Sequence, residues 1–160
     1  MVAPHTSNWD FFLCIMAMWG FGLQLSWLGK HGIFFWPARY LLRWLGGEPI
    51  DRDTPLGTVE QAIERFATRA QWVFGLAPEG TRKQTTGWKS GYYRIAVGAR
   101  VPIVPVALDH GRRRVVILEP CWPTGDQAAD ERRLRAHFSP GMARHPEQYG
   151  SGTAEIPSGQ

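Results

Sequence analysis

Residues 11–29, FFLCIMAMWGFGLQLSWLG, carry no charged side chain over 19 positions. A helix rises ~1.5 Å per residue, so this run is nearly long enough to cross a bilayer core of ~30 Å. Its interior argues against a simple span. Gly20, Gly22, Gln24 and Ser26 interrupt it, and from Leu23 the apolar residues alternate with a period of two. The stretch therefore reads as two elements. A helix runs from near Asn8 to about Gly20, with Ser7 or Asn8 as its N-cap and apolar residues on nearly every face. A helix of that kind is buried or faces lipid. A strand over 23–30 follows. No basic segment precedes the run and no small-residue cleavage site follows it, so it is not read as a signal peptide.

The rest of the chain alternates in the same way. Residues 1–4 read as the end of a strand running into Pro4. Residues 36–46 read as a short helix with Pro37 in its first turn and glycine after its end. The clearest helix lies in DRDTPLGTVEQAIERFATRA, with Thr54 as N-cap and Pro55 at its first position. Its apolar stripe is Leu56, Val59, Ile63, Phe66 and Ala67. A buried strand is expected over 71–76, a helix over 87–100, strands over 102–108 and 113–118, and an amphipathic helix over 126–138. Helices alternating with strands predict an α/β fold: one layered domain with a mixed, largely parallel sheet flanked by helices. That domain spans 1–149. The Gly/Ser/Pro-rich residues 150–160 are read as a disordered tail.

Composition narrows the function classes. The net charge of +4 favours anionic partners, but no run of five or six like charges occurs. The densest basic cluster, HGRRR at 110–114, reads as a turn entering a strand, and no nucleic-acid motif accompanies it. Nucleic acid is therefore not expected as a partner. Cys14 and Cys121 lack a CxxC partner, and the five histidines show no ligand spacing. No disulfide framework and no metal are expected, and reduced cysteines fit a cytoplasmic location. Eight tryptophans suit either an aromatic-rich core or an interface with a membrane surface.

Four short segments are able to carry chemistry. In PHTSNWD, residues 4–10, His5 and Asp10 stand five positions apart. Imidazole takes a hydroxyl proton near neutral pH, and a carboxylate on its second nitrogen fixes the tautomer. The turn into a helix brings residue i+5 back over residue i. The same spacing equally suits a surface histidine beside a helix N-terminus whose dipole Asp10 complements, and the pair alone favours that second reading. In GGEPIDR, residues 46–52, a glycine pair precedes Arg52 at the edge of an element. In APEGTRK, residues 77–83, a turn past a strand end presents Glu79, Gly80, Thr81 and Arg82. Gly80 permits close backbone approach, and Arg82 with Thr81 suits a phosphate. Alternatively this is an ordinary turn with a Glu–Arg surface pair. Lys89, in GWKSG, stands near a helix N-terminus where an anion is welcome. Solvated surface charge is the plainer reading of Lys89 and Arg52.

Taken in order, these segments resemble the phospholipid/glycerol acyltransferase family, which includes 1-acylglycerol-3-phosphate acyltransferases. His5 and Asp10 match its H-x4-D block, GGEPIDR resembles its glycine-rich block ending in arginine, PEGTR matches its E-G-T-R block, and VPIVPV at 101–106 matches its apolar strand. The resemblance covers residues 4 to about 148. It differs where Pro4 stands in place of a common asparagine and Lys83 in place of a common serine. The chain is also short on its N-terminal side relative to the family.

The resemblance implies a glycerol-3-phosphate acyltransferase-like fold and a reaction. An acyl group passes from acyl-CoA or acyl carrier protein to a hydroxyl of a lysophospholipid or glycerol-phosphate acceptor. His5 is the general base, Asp10 orients it, and Arg52, Glu79, Gly80, Thr81, Arg82 and Lys89 bind the acceptor. A thioester is already activated, so no enzyme nucleophile and no bound cofactor are required; the acyl donor is a co-substrate. The expected location is cytoplasmic, in peripheral contact with the inner face of the cell membrane, and the apolar helix after Asp10 either lines an acyl groove or packs in the core. Two other readings stay open: transfer to a non-glycerol acceptor such as a lyso-amino-acid lipid, and a catalytically weak lipid- or CoA-binding remnant.

Overall fold

A computed structural model describes residues 1–2, 8–50, 57–78, 88–138 and 142, the side chains of 8–10 excepted. Five helices and five strands occur among them. In chain order these are α1 (Asn8–Gly20), β1 (Leu25–Lys30), α2 (Ala38–Trp44), β2 (Gly47–Ile50), α3 (Thr58–Thr68), β3 (Val73–Phe74), α4 (Gly91–Ala99), β4 (Val106–Asp109), β5 (Arg114–Ile117) and α5 (Gln127–Arg135). A 3-10 turn, His31–Ile33, follows β1.

The sheet is mixed and largely parallel. β1 pairs in parallel with β2 (Trp27 opposite Gly47) and with β3 (Leu25 opposite Val73), giving the order β2-β1-β3. β4 and β5 form an antiparallel hairpin, Val106 opposite Ile117. Val2 joins the two pieces through parallel bridges to Leu76 and to Pro105. Its N–H donates to the Val104 carbonyl (2.9 Å) and its carbonyl accepts from the Val106 N–H (2.8 Å). The run therefore reads β2-β1-β3-Val2-β4-β5. Five neighbouring segments point the same way, so their carboxyl ends share one edge, where an open α/β sheet binds its ligands.

The two sheet faces carry different helices. On one, Ile15 and Met18 of α1 pack with Leu25, Leu45 and Val106. Trp27 anchors this face by edge-on contact with Phe11 and by stacking on Phe34, its indole N–H donating to the Leu45 carbonyl. On the other, Ala62 of α3 and Ile95 of α4 pack on Phe74. A third cluster joins Tyr92, Tyr93 and Ala96 of α4 to Val2, Ile103 and Leu134 of α5.

Several expected boundaries move. α3 starts at Thr58 behind Gly57, whose ψ of 168° is extended, so Thr54 is not its cap. Its stripe is Val59, Ala62, Ile63 and Phe66, the i, i+3, i+4, i+7 set. Ala62 is fully buried and Ala67 is exposed, being one position off the stripe; Leu56 lies outside the described residues. The strand expected over 71–76 reduces to Val73–Phe74 and a single bridge at Leu76, and that over 102–108 to Val106–Asp109 with bridges at Ile103 and Pro105. β2 is a strand that periodicity did not signal, because only four residues long and with Pro49 inside, it sits on the sheet edge where proline is tolerated.

Candidate active site

Three connections carry most of the segments singled out above. One leaves the sheet at Val2 and enters α1, one leaves β2 at Ile50 and reaches Thr58, and one leaves β3 through Pro78 and returns at Trp88. All three depart from the carboxyl edge. His5, Arg52, Glu79, Gly80, Thr81 and Arg82 lie on them, outside the described residues. Asp10 occupies the third position of α1, described in backbone only. Lys89 is described and exposed.

The described ends of these connections border one cavity of about 480 Å³. Met1 and Phe11 flank the first, Thr58 closes the second, and Pro78 and Lys89 bracket the third. The Lys89 N–H donates to the Pro78 carbonyl at 2.9 Å, tying the feet of the third connection together. The cavity wall is apolar. Cys14 and Met18 of α1 form one side, Leu25 and Phe74 the sheet side, and Ile95 of α4 the opposite side. The volume falls within the range of ligand pockets, and its lining suits a hydrocarbon chain with a polar group at the mouth.

The supports of the mouth are traceable to α5. Asp126 caps that helix by accepting from the Ala129 N–H at 3.0 Å. Glu131, one turn on, pairs with Arg135 at 2.7 Å and accepts from the Trp88 N–H at 3.4 Å. The Arg135 guanidinium lies over the Trp88 ring, 5.1 Å from its centroid. Trp88, and with it the start of the Lys89 segment, is thus held from both sides. α5 is held in turn by Asp130, which is fully buried. Its Oδ2 accepts from the Thr124 N–H (2.7 Å), the Tyr93 hydroxyl (2.9 Å) and the Thr124 hydroxyl (3.0 Å). Burial pushes this carboxyl up, but the donors from Thr124 and Tyr93, with Arg133, outweigh it and hold the group below its usual range.

β2 is fixed in a comparable way, one strand from the cavity. Glu48 accepts from Arg65 Nε (3.0 Å), from both terminal nitrogens of Arg69 (2.6 and 2.9 Å) and from Trp72 Nε1 (3.1 Å). Burial raises the Glu48 carboxyl, while Arg69, Trp72 and Ser26 bring it below its usual range. The edge strand that leads to Arg52 is thereby pinned to the end of α3.

One cavity residue went unnoticed in the sequence. Tyr92 lines the wall, and its buried hydroxyl has no hydrogen-bond partner among the described residues. Burial first, then the Glu131 charge, pushes its ionisation well above the ordinary range, so it is a neutral donor. The only sequence signal is that Tyr92, Ile95 and Ala96 share one face of α4.

A family model described as Acyltransferase matches residues 1–109. The chain belongs to the acyltransferase family. Among curated relatives of this acyltransferase-family chain, the chloroplastic 1-acyl-sn-glycerol-3-phosphate acyltransferase of Brassica napus is 28% identical over 152 residues, covering 81% of the chain and 44% of the relative. That of Escherichia coli K12 is 34% identical over 90 residues, 51% of the chain and 36% of the relative. That of Cocos nucifera is 30% identical over 113 residues, 67% of the chain and 36% of the relative. The acyltransferase-family chain thus spans less than half the length of these relatives. No solved structure matches it. Among the described residues no cluster of metal-ligating side chains occurs, and no helix is long and apolar enough to cross a membrane.

Proposed function

We propose that residues 1–149 transfer a fatty acyl group from acyl-CoA or acyl carrier protein to the free hydroxyl of a lysophospholipid or glycerol-phosphate acceptor, 1-acylglycerol-3-phosphate first. The observation that carries this reading is that the described ends of three connections, those in which the motifs lie in the sequence, border one apolar cavity. The names of the relatives support the acceptor class.

The chemistry needs few parts. His5 takes the acceptor hydroxyl proton, and Asp10 orients the ring and stabilises the imidazolium. The oxygen attacks the thioester carbonyl to form a tetrahedral oxyanion, which backbone N–H donors stabilise. That attack forms the ester C–O bond; collapse of the oxyanion restores the carbonyl and breaks the C–S bond, and the departing thiolate takes the proton from His5. Arg52, Arg82 and Lys89 hold the acceptor phosphate, with Glu79, Gly80 and Thr81 shaping its turn. The cavity takes the acyl chain, each buried methylene contributing about 0.8 kcal/mol. The reaction runs at the inner, cytoplasmic face of the cell membrane, where such acceptors reside.

The test is thiol release from a long-chain acyl-CoA, and separately from acyl carrier protein, with glycerol 3-phosphate, lysophosphatidate, a lyso-ornithine lipid or no acceptor. Release is expected to require lysophosphatidate and to fall about 10²–10⁴-fold in His5→Ala at unchanged melting temperature. Arg82→Ala is expected to raise KM for the phosphate-bearing acceptor. Release that proceeds equally in His5→Ala removes the base assignment, and release only with the ornithine lipid moves the acceptor to the amino-acid class.

A further inference from the structure

α1 and α2 lie side by side on one face of the sheet, tied to it through Phe11, Phe34 and Trp27. Their inner sides are accounted for by the core. Their outer sides are apolar and open to solvent. Met16 and Trp19 of α1 and Leu41 and Trp44 of α2 face outward, and Phe35 and Trp36 precede α2 on the same side; exposures reach 66% at Met16, 68% at Trp44 and 73% at Trp36. Trp19 and Trp44 meet edge to face, ring centroids 4.8 Å apart, which makes the two helices one continuous surface. At roughly 100 Å² left open per large side chain, these six reach or exceed the ~300–600 Å² of a typical monomer's largest apolar patch.

Charge identifies what covers it. From Phe11 to Gly47 the chain contains no aspartate and no glutamate, whereas Lys30, Arg39 and Arg43 are all present. All three are exposed, and Arg39 lies over the Tyr40 ring while donating to its hydroxyl at 2.8 Å. Arg43 borders the same groove as Trp19 and Trp44. A second copy docked on this face would bring cations against cations with no carboxylate to offset them. A surface of anionic phosphate groups over hydrocarbon meets both features: aromatic side chains settle at the headgroup level, and basic residues pair with phosphates.

We infer that the outer face of α1 and α2, from Met16 through Trp44 to Trp36, is a docking surface for an anionic lipid bilayer. It gives the membrane contact of the proposed function, on which it builds, a location and a lipid class, and it needs none of the transfer chemistry. α1 then separates two apolar environments, with Cys14 and Met18 toward the cavity and Met16 and Trp19 toward lipid.

Flotation with vesicles of phosphatidylcholine alone and of phosphatidylcholine with about 30 mole per cent phosphatidylglycerol, a strongly anionic surface, tests the inference. The protein is expected to float with the anionic vesicles and to be released as salt rises. Met16→Glu/Trp44→Glu is expected to lower partitioning at least about ten-fold, and Arg43→Gln about five-fold. The outward positions leave the fold intact, checked by circular dichroism and melting temperature. Thiol release assayed with detergent-dispersed substrate is expected to be unchanged in the double variant, so a failure of vesicle binding and a failure of the transfer chemistry register in different assays. Wild-type protein that stays unbound, a folded double variant that binds as wild type does, or equal binding to both vesicle types overturns the inference. So does a wild-type dimer in sedimentation that the double variant abolishes, since the face then joins two copies.

Discussion

Replacing Asp130 by alanine strips a buried acceptor from three donors at once. The Thr124 N–H, the Tyr93 hydroxyl and the Thr124 hydroxyl all converge on its Oδ2 within 3.0 Å. An unsatisfied buried donor costs about 1–3 kcal/mol, and a broken buried network about 3–5 kcal/mol. The Thr124 hydroxyl is able to rotate toward another partner, so the expected loss is about 3–4 kcal/mol. For a chain of this size that lowers the melting temperature by roughly 10 °C. Urea unfolding followed by tryptophan fluorescence reads the free energy, and a cycle with Tyr93→Phe isolates the Tyr93–Asp130 bond, with a coupling of about 1 kcal/mol or more expected. A melting temperature lowered by less than about 2 °C, or a coupling indistinguishable from zero, would falsify the claim that this carboxylate fastens α5.

Other perturbations follow from the same geometry. Glu48→Gln removes the charge that gathers Arg65, Arg69 and Trp72 on β2. Arg69 is well exposed, so the expected cost is about 1–2 kcal/mol, and unchanged urea stability counts against the pin. Gly46→Ala is expected to cost about 2 kcal/mol or more, because Gly46 has φ +83° and an added Cβ would stand 2.0 Å from the Leu25 carbonyl oxygen. Wild-type-like melting of that variant refutes the tight α2–β2 corner. Asp130 and Glu48 both have folded-state ionisations below their ordinary values. Their contribution is therefore complete above the unfolded-chain values of about 4 and is lost as pH falls through the folded ones. Stability is expected to be level from about pH 6 to 5 and to drop below about pH 4, less steeply in Asp130→Ala. A wild-type profile that is flat to about pH 3 contradicts it.

The fold was legible wherever a side-chain period had room to repeat. α3 carries its stripe from Val59 to Phe66, and the uncharged 11–29 run, apolar on nearly every face of α1, resolves into a helix and a strand as its glycines indicate. What the pattern missed was set by partners rather than by period. β2 is four residues long and is a strand because β1 supplies its ladder from Trp27 to Lys30. Val2 is strand-like, as the reading of residues 1–4 expects, but which segments it joins is set by Leu76 and Pro105 on either side. Ala62 is the most buried residue of α3 because it packs against Phe74 and Ile95, whereas Ala67, of the same apolar rank, is exposed.

The site was legible in a different sense. Histidine, arginine and the Glu-Gly-Thr-Arg turn stand out for what their groups do, and distance along the chain gives no reason for them to meet. Parallel strand order brings the described ends of their connections together: Val2, Ile50 and Pro78 lie toward one edge, and Met1, Thr58, Pro78 and Lys89 border one cavity. Tyr92 was invisible because a tyrosine on the buried face of a helix looks like packing until its hydroxyl is found without a partner among the described residues. The outward face of α1 and α2 was half visible. The missing carboxylates between 11 and 47 are a sequence fact, but that Trp19 and Trp44 close into one surface depends on α1 and α2 sharing a layer, which Trp27 enforces from the middle of the sheet. A single aromatic strand residue thus holds both the helix that walls the cavity and the helix that extends the lipid-facing surface.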